Sequence, residues 1–259
     1  MEKEVLLEVE NLFKKFKIGK KRRRRKILAR IISFISGVEA KRKFSVLENI
    51  NFSLRKSENL GIIGKNGSGK TTLLKILGKI YSADKGTIEN NVNTFYLSSM
   101  ANGLKTKLSV EDNVFLVGSI LGLSQRNIRN KLDEIIDFAG LEDFVGTKVY
   151  QLSTGMKQRL AFSITIHCLE SKHLDVLLLD EVFGGGGDEE FKIKGLKRMD
   201  ELLKKGITII FVSHDMNLIK KYCKKVIWLD KGKIKKYGNS REVVREYLNE
   251  IEREVRKQN

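Results

Sequence analysis

A chain of 259 residues that is 41% hydrophobic and 32% charged can bury a substantial core, and its length allows one large domain or two small ones. No apolar run approaches the roughly 20 residues needed to cross a bilayer, and the N-terminus has no secretory hydrophobic core. Two isolated cysteines exclude a disulfide framework or a cysteine-based metal cluster, and the net charge of +18 raises nucleic acid as a partner.

In chain order, short strands are expected around residues 6–9 and 44–54, with Phe16 following the first. Between them, residues 20–43 carry eleven Lys or Arg against Glu39 alone, so this stretch holds +10 of the +18. Ile27, Leu28, Ile31, Ile32 and Ile35 fall on one helical face. A basic amphipathic helix of this kind suits an anionic membrane surface, where each basic residue adds about 1 kcal/mol. Packing of that apolar face on its own domain is the competing reading. No aromatic stacking platform accompanies the arginines, so nucleic acid is not expected.

Residues 58–63 (ENLGII) read as a buried strand, and residues 64–72 (GKNGSGKTT) follow it. The string fits G-x-x-x-x-G-K-S/T, in which backbone N–H groups close on the phosphates of a nucleotide, a lysine reaches them and a hydroxyl binds Mg²⁺. Those roles fall to Gly64, Gly67, Gly69, Lys70 and Thr71, with Lys65, Asn66, Ser68 and Thr72 in the same loop. The Leu/Ile spacing of residues 71–80 predicts a helix, whose N-terminus favours anions.

A further strand is expected at residues 87–97, then a mostly helical stretch over 98–168. There Ser109 with Asp112 marks a helix start, and Ile128, Leu132, Ile135 and Ile136 mark a face. Residues 152–158 (LSTGMKQ) open a helix over 154–169, capped by a serine and spaced by Leu160, Ile164 and Cys168. Residues 176–181 (VLLLDE) form an apolar strand ending in two acids. In phosphoryl transfer one acid holds the metal and another group orients water, which assigns Asp180 and Glu181 respectively; a solvated strand end is the alternative. Residues 184–187 are all glycine, and Asp188 follows. After the strand ITIIFV (207–212), His214 stands at a strand end, where open parallel sheets bind ligands. His167 and His173 have no such placement. Residues 240–257 predict a charged helix with Val243, Val244, Tyr247, Leu248 and Ile251 on one face.

In this order the strings resemble the ATP-binding subunits of ABC transporters over nearly the whole chain. LSTGMKQ is similar to that family's signature loop, L-S-G-G-Q in its commonest form, with Thr154 and Met156 departing from it. The resemblance implies an α/β fold: a P-loop NTPase (RecA-like) core, an antiparallel β subdomain and a helical signature-motif subdomain. It implies a single ATPase domain over residues 1–259, with a core lobe at 1–97 and 169–239, a helical lobe at 98–168, a closing helix at 240–257 and the basic insertion at 20–43. ATP and Mg²⁺ are the implied cofactors, with Lys70, Glu181 and His214 catalytic.

The same resemblance implies that Phe16 stacks on adenine and that Asp188 belongs to a loop beside the nucleotide. Ser153 and Gly155 would close over ATP held by the opposite subunit of a head-to-tail homodimer. Residues 95–108 lack the family's Mg²⁺-contacting glutamine, and Ser98 or Ser99 stands in its place, Ser99 being taken as the metal contact. Val182 replaces a proline, and the glycine run is one residue longer than usual. Residues 212–238 run close to the ATPases of polysaccharide and teichoic acid exporters. Export of a lipid-linked glycan through a separate permease, from the cytoplasmic side of the membrane, is therefore expected. The alternatives are an exporter of drugs, lipids or peptides, or a soluble nucleic-acid-associated ABC ATPase, although neither a long coiled coil nor a second ATPase domain is present.

Overall fold

The computed structural model describes residues 4–17, 43–89, 92–98, 103–169, 173–183 and 189–258. The basic stretch up to residue 42, the glycine run, Ser99 and Asp188 lie outside the described residues.

Three strands form an antiparallel sheet: β1 (Val5–Lys17), β2 (Lys43–Arg55) and β4 (Lys85–Glu89), in the order β2-β1-β4. The pairing of β1 with β2 runs out to Lys17 opposite Lys43, so the basic stretch joins two strands that are paired to their ends. A second sheet has the order β5-β6-β7-β3-β8-β9. It comprises β5 (Thr94–Ser98), β6 (Val176–Asp180), β7 (Thr208–Val212), β3 (Leu60–Ile63), β8 (Lys225–Asp230) and β9 (Lys233–Asn239). All neighbours are parallel except β9, which turns back on β8.

Strands β3, β6 and β7 are buried at every position, as apolar runs in the middle of a parallel sheet must be. Alternate side chains serve opposite faces. Leu60, Ile62, Leu178 and Ile210 meet α1 (Lys70–Leu77) and the antiparallel sheet through Leu73, Leu74, Leu7 and Ile50. Leu177, Leu179, Ile209 and Phe211 meet α5 (Glu189–Lys204), α6 (Met216–Tyr222) and α7 (Ser240–Gln258) through Phe191, Met199, Ile219 and Val243. A separate cluster joins α2 (Val110–Ile120), α3 (Gln125–Ala139) and α4 (Thr154–Leu169). Helix α4 belongs to both: Leu160, Ile164 and Cys168 face α2 and α3, whereas Phe162, Ile166 and Leu169 face the sheet.

The expected single strand over residues 87–97 is two strands in different sheets. Asn93 explains the break: its N–H donates to Asp175 Oδ2 and its carbonyl accepts from Asp175 N, which docks the second half beside β6. At the entrance to β3, Asn59 ties the strand to both neighbours. Its Oδ1 accepts from Ile209 N at 3.0 Å, its Nδ2 donates to Tyr222 O at 3.1 Å, and its carbonyl accepts from Lys224 N at 3.1 Å.

Candidate functional site

The loop between β3 and α1 is shaped by its glycines. Gly64 has φ 147°, and a Cβ there would lie 2.2 Å from Leu229 O and 2.8 Å from Ser68 Oγ, so no side chain fits. Gly67 has φ 79° with nothing within 4 Å of its Cβ position; it is glycine for its conformation, on the open rim of the loop. Lys70, the first residue of α1, is buried and donates from Nζ to Gly64 O at 2.7 Å and Lys65 O at 3.1 Å. Burial pushes its ammonium below the usual lysine range, with the negative charges of Glu181 and Asp180 opposing. Ser68 Oγ is buried without a hydrogen-bond partner among the described residues. Asn66 is exposed, and Thr72 is half-buried on α1.

Strand register delivers the acids. Asp180 ends β6 opposite Val212 of β7, so the chain beyond both strands emerges at one edge of the sheet. Thr71 Oγ1 donates to Asp180 Oδ1 at 3.3 Å, and Tyr96 OH donates to Asp180 Oδ2 at 2.8 Å. Glu181 adopts φ 54°, held by its N–H donating to Val212 O at 3.0 Å. That turn sets Glu181 Oε1 2.9 Å from His214 Nε2. Next to His214, Asp215 caps α6 by accepting from Asn217 N and Leu218 N, and it lies 3.3 Å from Lys192 Nζ. The strand end is thereby fixed to α5 and α6.

Lys70, Thr71, Asp180, Glu181 and His214 therefore form one cluster. Phe16 lies elsewhere on β1, more than a third exposed, in edge-to-face contact with Tyr81 at 5.6 Å and with Lys14 Nζ 5.4 Å from its ring centre. Ser153 is exposed and caps α4, its Oγ accepting from Met156 N at 3.2 Å; Gly155 is half-buried in the first turn. No hydrogen bond among the described residues joins either to the phosphate loop of the same chain. His167 is buried in α4 with Nδ1 2.8 Å from Ser163 O, one turn back on the same helix.

Two features escape a reading by motif: the partner of Tyr96 and that of Lys65. Tyr96 lies on β5 two residues before Ser98, which is opposite Asp180, so Tyr96, Ser98 and Asp180 share a sheet face. The alternation of residues 94–98 carried that signal, but only the strand order supplies the partner. Lys65 pairs with Glu254 of α7, and this contact holds the Lys65 ammonium above the usual lysine range.

These residues fit a nucleotide phosphate and a divalent cation. The buried, unpartnered Ser68 hydroxyl and a lysine folded back on two carbonyls are polar groups with capacity to spare. Among the described residues no group of three or more His, Cys, Asp or Glu could hold a metal by itself. A hydroxyl and one carboxylate are hard oxygen donors, and Thr71 and Asp180 would suit Mg²⁺.

Known proteins resemble this chain in sequence and in fold. The ABC transporter family profile matches residues 47–184. The teichoic acids export ATP-binding protein TagH of Lactococcus lactis subsp. lactis (strain IL1403) is 36% identical over 94% of this chain and 50% of its own length. The O-antigen export system ATP-binding protein RfbB of Klebsiella pneumoniae is 30% identical over 80% of this chain and 82% of its own. The chain spans half or less of the first curated relatives it matches, at 50%, 46% and 36% of their lengths. Among solved structures, an ATP-binding subunit of an ABC transporter superposes with a TM-score of 0.72 at 23% identity, over 96% of this chain and 99% of that one. A dimeric ATP-binding cassette in a post-hydrolysis state, bound to ADP and Pi, gives 0.70 at 21%, over 90% and 98%. The last two establish the fold, and with the family match and the relatives at 30% identity and above, the chain belongs to the ABC transporter family.

Proposed function

We propose that this chain hydrolyses ATP to drive a separate membrane permease that exports a polysaccharide, teichoic acid or related lipid-linked glycan. The observation that carries the chemistry is the cluster at the sheet edge, with a phosphate loop, a hydroxyl–carboxylate pair and a glutamate held by a histidine. The amides of residues 64–69 and Lys70 bind the β- and γ-phosphates, Lys70 exchanging its two carbonyls for phosphate oxygens. Thr71 and Asp180 would hold Mg²⁺. When bound, that ion neutralises charge on the transferring phosphoryl group. Glu181 orients water and takes its proton as the water oxygen bonds to the γ-phosphorus and the bond to ADP breaks, giving ADP and phosphate. His214, 2.9 Å away, fixes the Glu181 carboxylate and faces the γ-phosphate side.

Ser153 and Gly155 serve the ATP of a second copy in a head-to-tail homodimer, which agrees with the absence, among the described residues, of a hydrogen bond from either to the loop of their own chain. Phe16, with an exposed ring, stacks on adenine; Asp188 and Ser99 complete the nucleotide and metal contacts. On this reading residues 1–259 work as one ATPase domain, and the lobes at 1–97 with 169–239 and at 98–168 meet through α4. The relatives named as exporters of teichoic acid and O-antigen support the glycan class. No helix among the described residues is long and apolar enough to cross a membrane. The chain acts at the cytoplasmic face through its permease, with residues 20–43 toward anionic lipid.

The test of the chemistry is Glu181→Gln. Hydrolysis should fall about 10²- to 10⁴-fold, the usual worth of a positioned base, while ATP binding persists and light scattering shows a trapped dimer. Wild-type turnover in the variant removes Glu181 from catalysis. For the substrate class, copurification from native membranes should yield a glycan-exporter permease; a permease of another class overturns that half of the reading.

A further inference from the structure

Asp180 is held at both oxygens by neutral donors on different elements: Thr71 of α1 at Oδ1 and Tyr96 of β5 at Oδ2. The second donor is placed by packing. Tyr96 stands against Gly78 at the end of α1, where a Cβ would come within 3.1 Å of Tyr96 Cβ and 3.3 Å of Leu178 Cδ1. Glycine there lets β5 close on the helix and brings the phenol to the carboxylate.

We propose that Tyr96 is a positioning residue for the divalent cation, turning Asp180 so that its Oδ1 edge is presented beside the Thr71 hydroxyl. The inference rests on the reading of Asp180 as a cation ligand. A phenol suits the task because it orients the carboxylate without bringing positive charge. A lysine or arginine in its place would neutralise Asp180 and repel the incoming ion. Groups that hydrogen-bond a metal-ligating carboxylate typically contribute 10- to 100-fold to metal affinity or activity.

The experiment compares full-length wild type, Tyr96→Phe, Asp180→Asn and the double variant. Mn²⁺ is titrated by electron paramagnetic resonance at saturating ATP, and ATP affinity is measured separately in EDTA. Tyr96→Phe keeps the ring and its packing, which a melting curve checks. It should weaken Mn²⁺ binding by about 10-fold or more, leave metal-free ATP affinity unchanged, and add nothing in the Asp180→Asn background. Wild-type Mn²⁺ affinity in Tyr96→Phe overturns the proposal, as does an equal loss in the Asp180→Asn background, which would mean that the phenol hydroxyl acts independently of the Asp180 carboxylate. If Asp180→Asn itself leaves Mn²⁺ affinity unchanged, the reading of Asp180 fails and the role of Tyr96 with it.

Discussion

At Gly64 and Gly67, two glycines of one loop are required for different reasons, and the difference is measurable. Alanine at Gly64 would drive a Cβ into Leu229 O at 2.2 Å and Ser68 Oγ at 2.8 Å, so β8 or the loop must move. Alanine at Gly67 meets nothing and carries only the strain of φ 79°, on the order of 1 kcal/mol. Gly64→Ala should therefore lower the melting temperature well beyond Gly67→Ala and abolish nucleotide binding. Gly67→Ala should melt within about 2–4 °C of wild type. Equal melting shifts would show that the close approach to Leu229 has no energetic weight. Lys70, Thr71, Asp180, Glu181 and His214 were legible in the sequence because each is fixed by local chemistry, a glycine loop or the polar end of an apolar run. Tyr96 was not, since nothing in residues 94–98 says which strand lies alongside.

Among the elements, α7 shows how a helix is held. Val243, Val244 and Tyr247 are buried, with Tyr247 edge-to-face on Trp228 at 5.3 Å. Its outward edge pairs with Lys235, Lys236 and Lys65 through Glu250, Glu246 and Glu254. Exposed ion pairs contribute little against solvent and side-chain entropy, whereas truncating a buried aromatic costs about 3–5 kcal/mol. Tyr247→Ala should therefore melt many degrees lower, and Glu254→Gln should melt with wild type. A large shift for Glu254→Gln would mean that the tie to the phosphate loop, and not the apolar face, holds the helix.

The apolar face of α7 could be read from the 3.6-residue spacing, although Leu248 on it stays partly exposed. The start of α2 was equally legible, and both capping-box hydrogen bonds of Ser109 and Asp112 are present at 3.0 and 3.2 Å. Two features were beyond reach. The Lys65–Glu254 pair joins charged residues 189 positions apart. The division of residues 87–97 between two sheets follows from the docking of Asn93 on Asp175, and a two-residue period does not say which sheet a strand joins.

For the whole molecule, the proposal that Ser153 serves the ATP of a second copy makes a functional site a property of two chains. Ser153→Arg should abolish ATP hydrolysis while leaving the nucleotide affinity of the monomer nearly unchanged. Lys70→Ala should abolish hydrolysis through the opposite half of the site. Mixing the two inactive variants should restore turnover, because each mixed dimer has one intact site. Persistent inactivity under conditions where mixed dimers form would place Ser153 outside a shared site.

The strand that carries the phosphate loop also sets the order in which the chain can mature. β3 is flanked by β7 and β8, both from the last third of the sequence, and Asn59 spans 150 residues to reach Ile209 and 163 to reach Tyr222. On a ribosome adding about 5–20 residues per second, β3 emerges roughly 7–30 seconds before either neighbour exists. For that interval both of its edges are open to any strand within reach, and the nascent chain has a phosphate loop with no sheet to hold it.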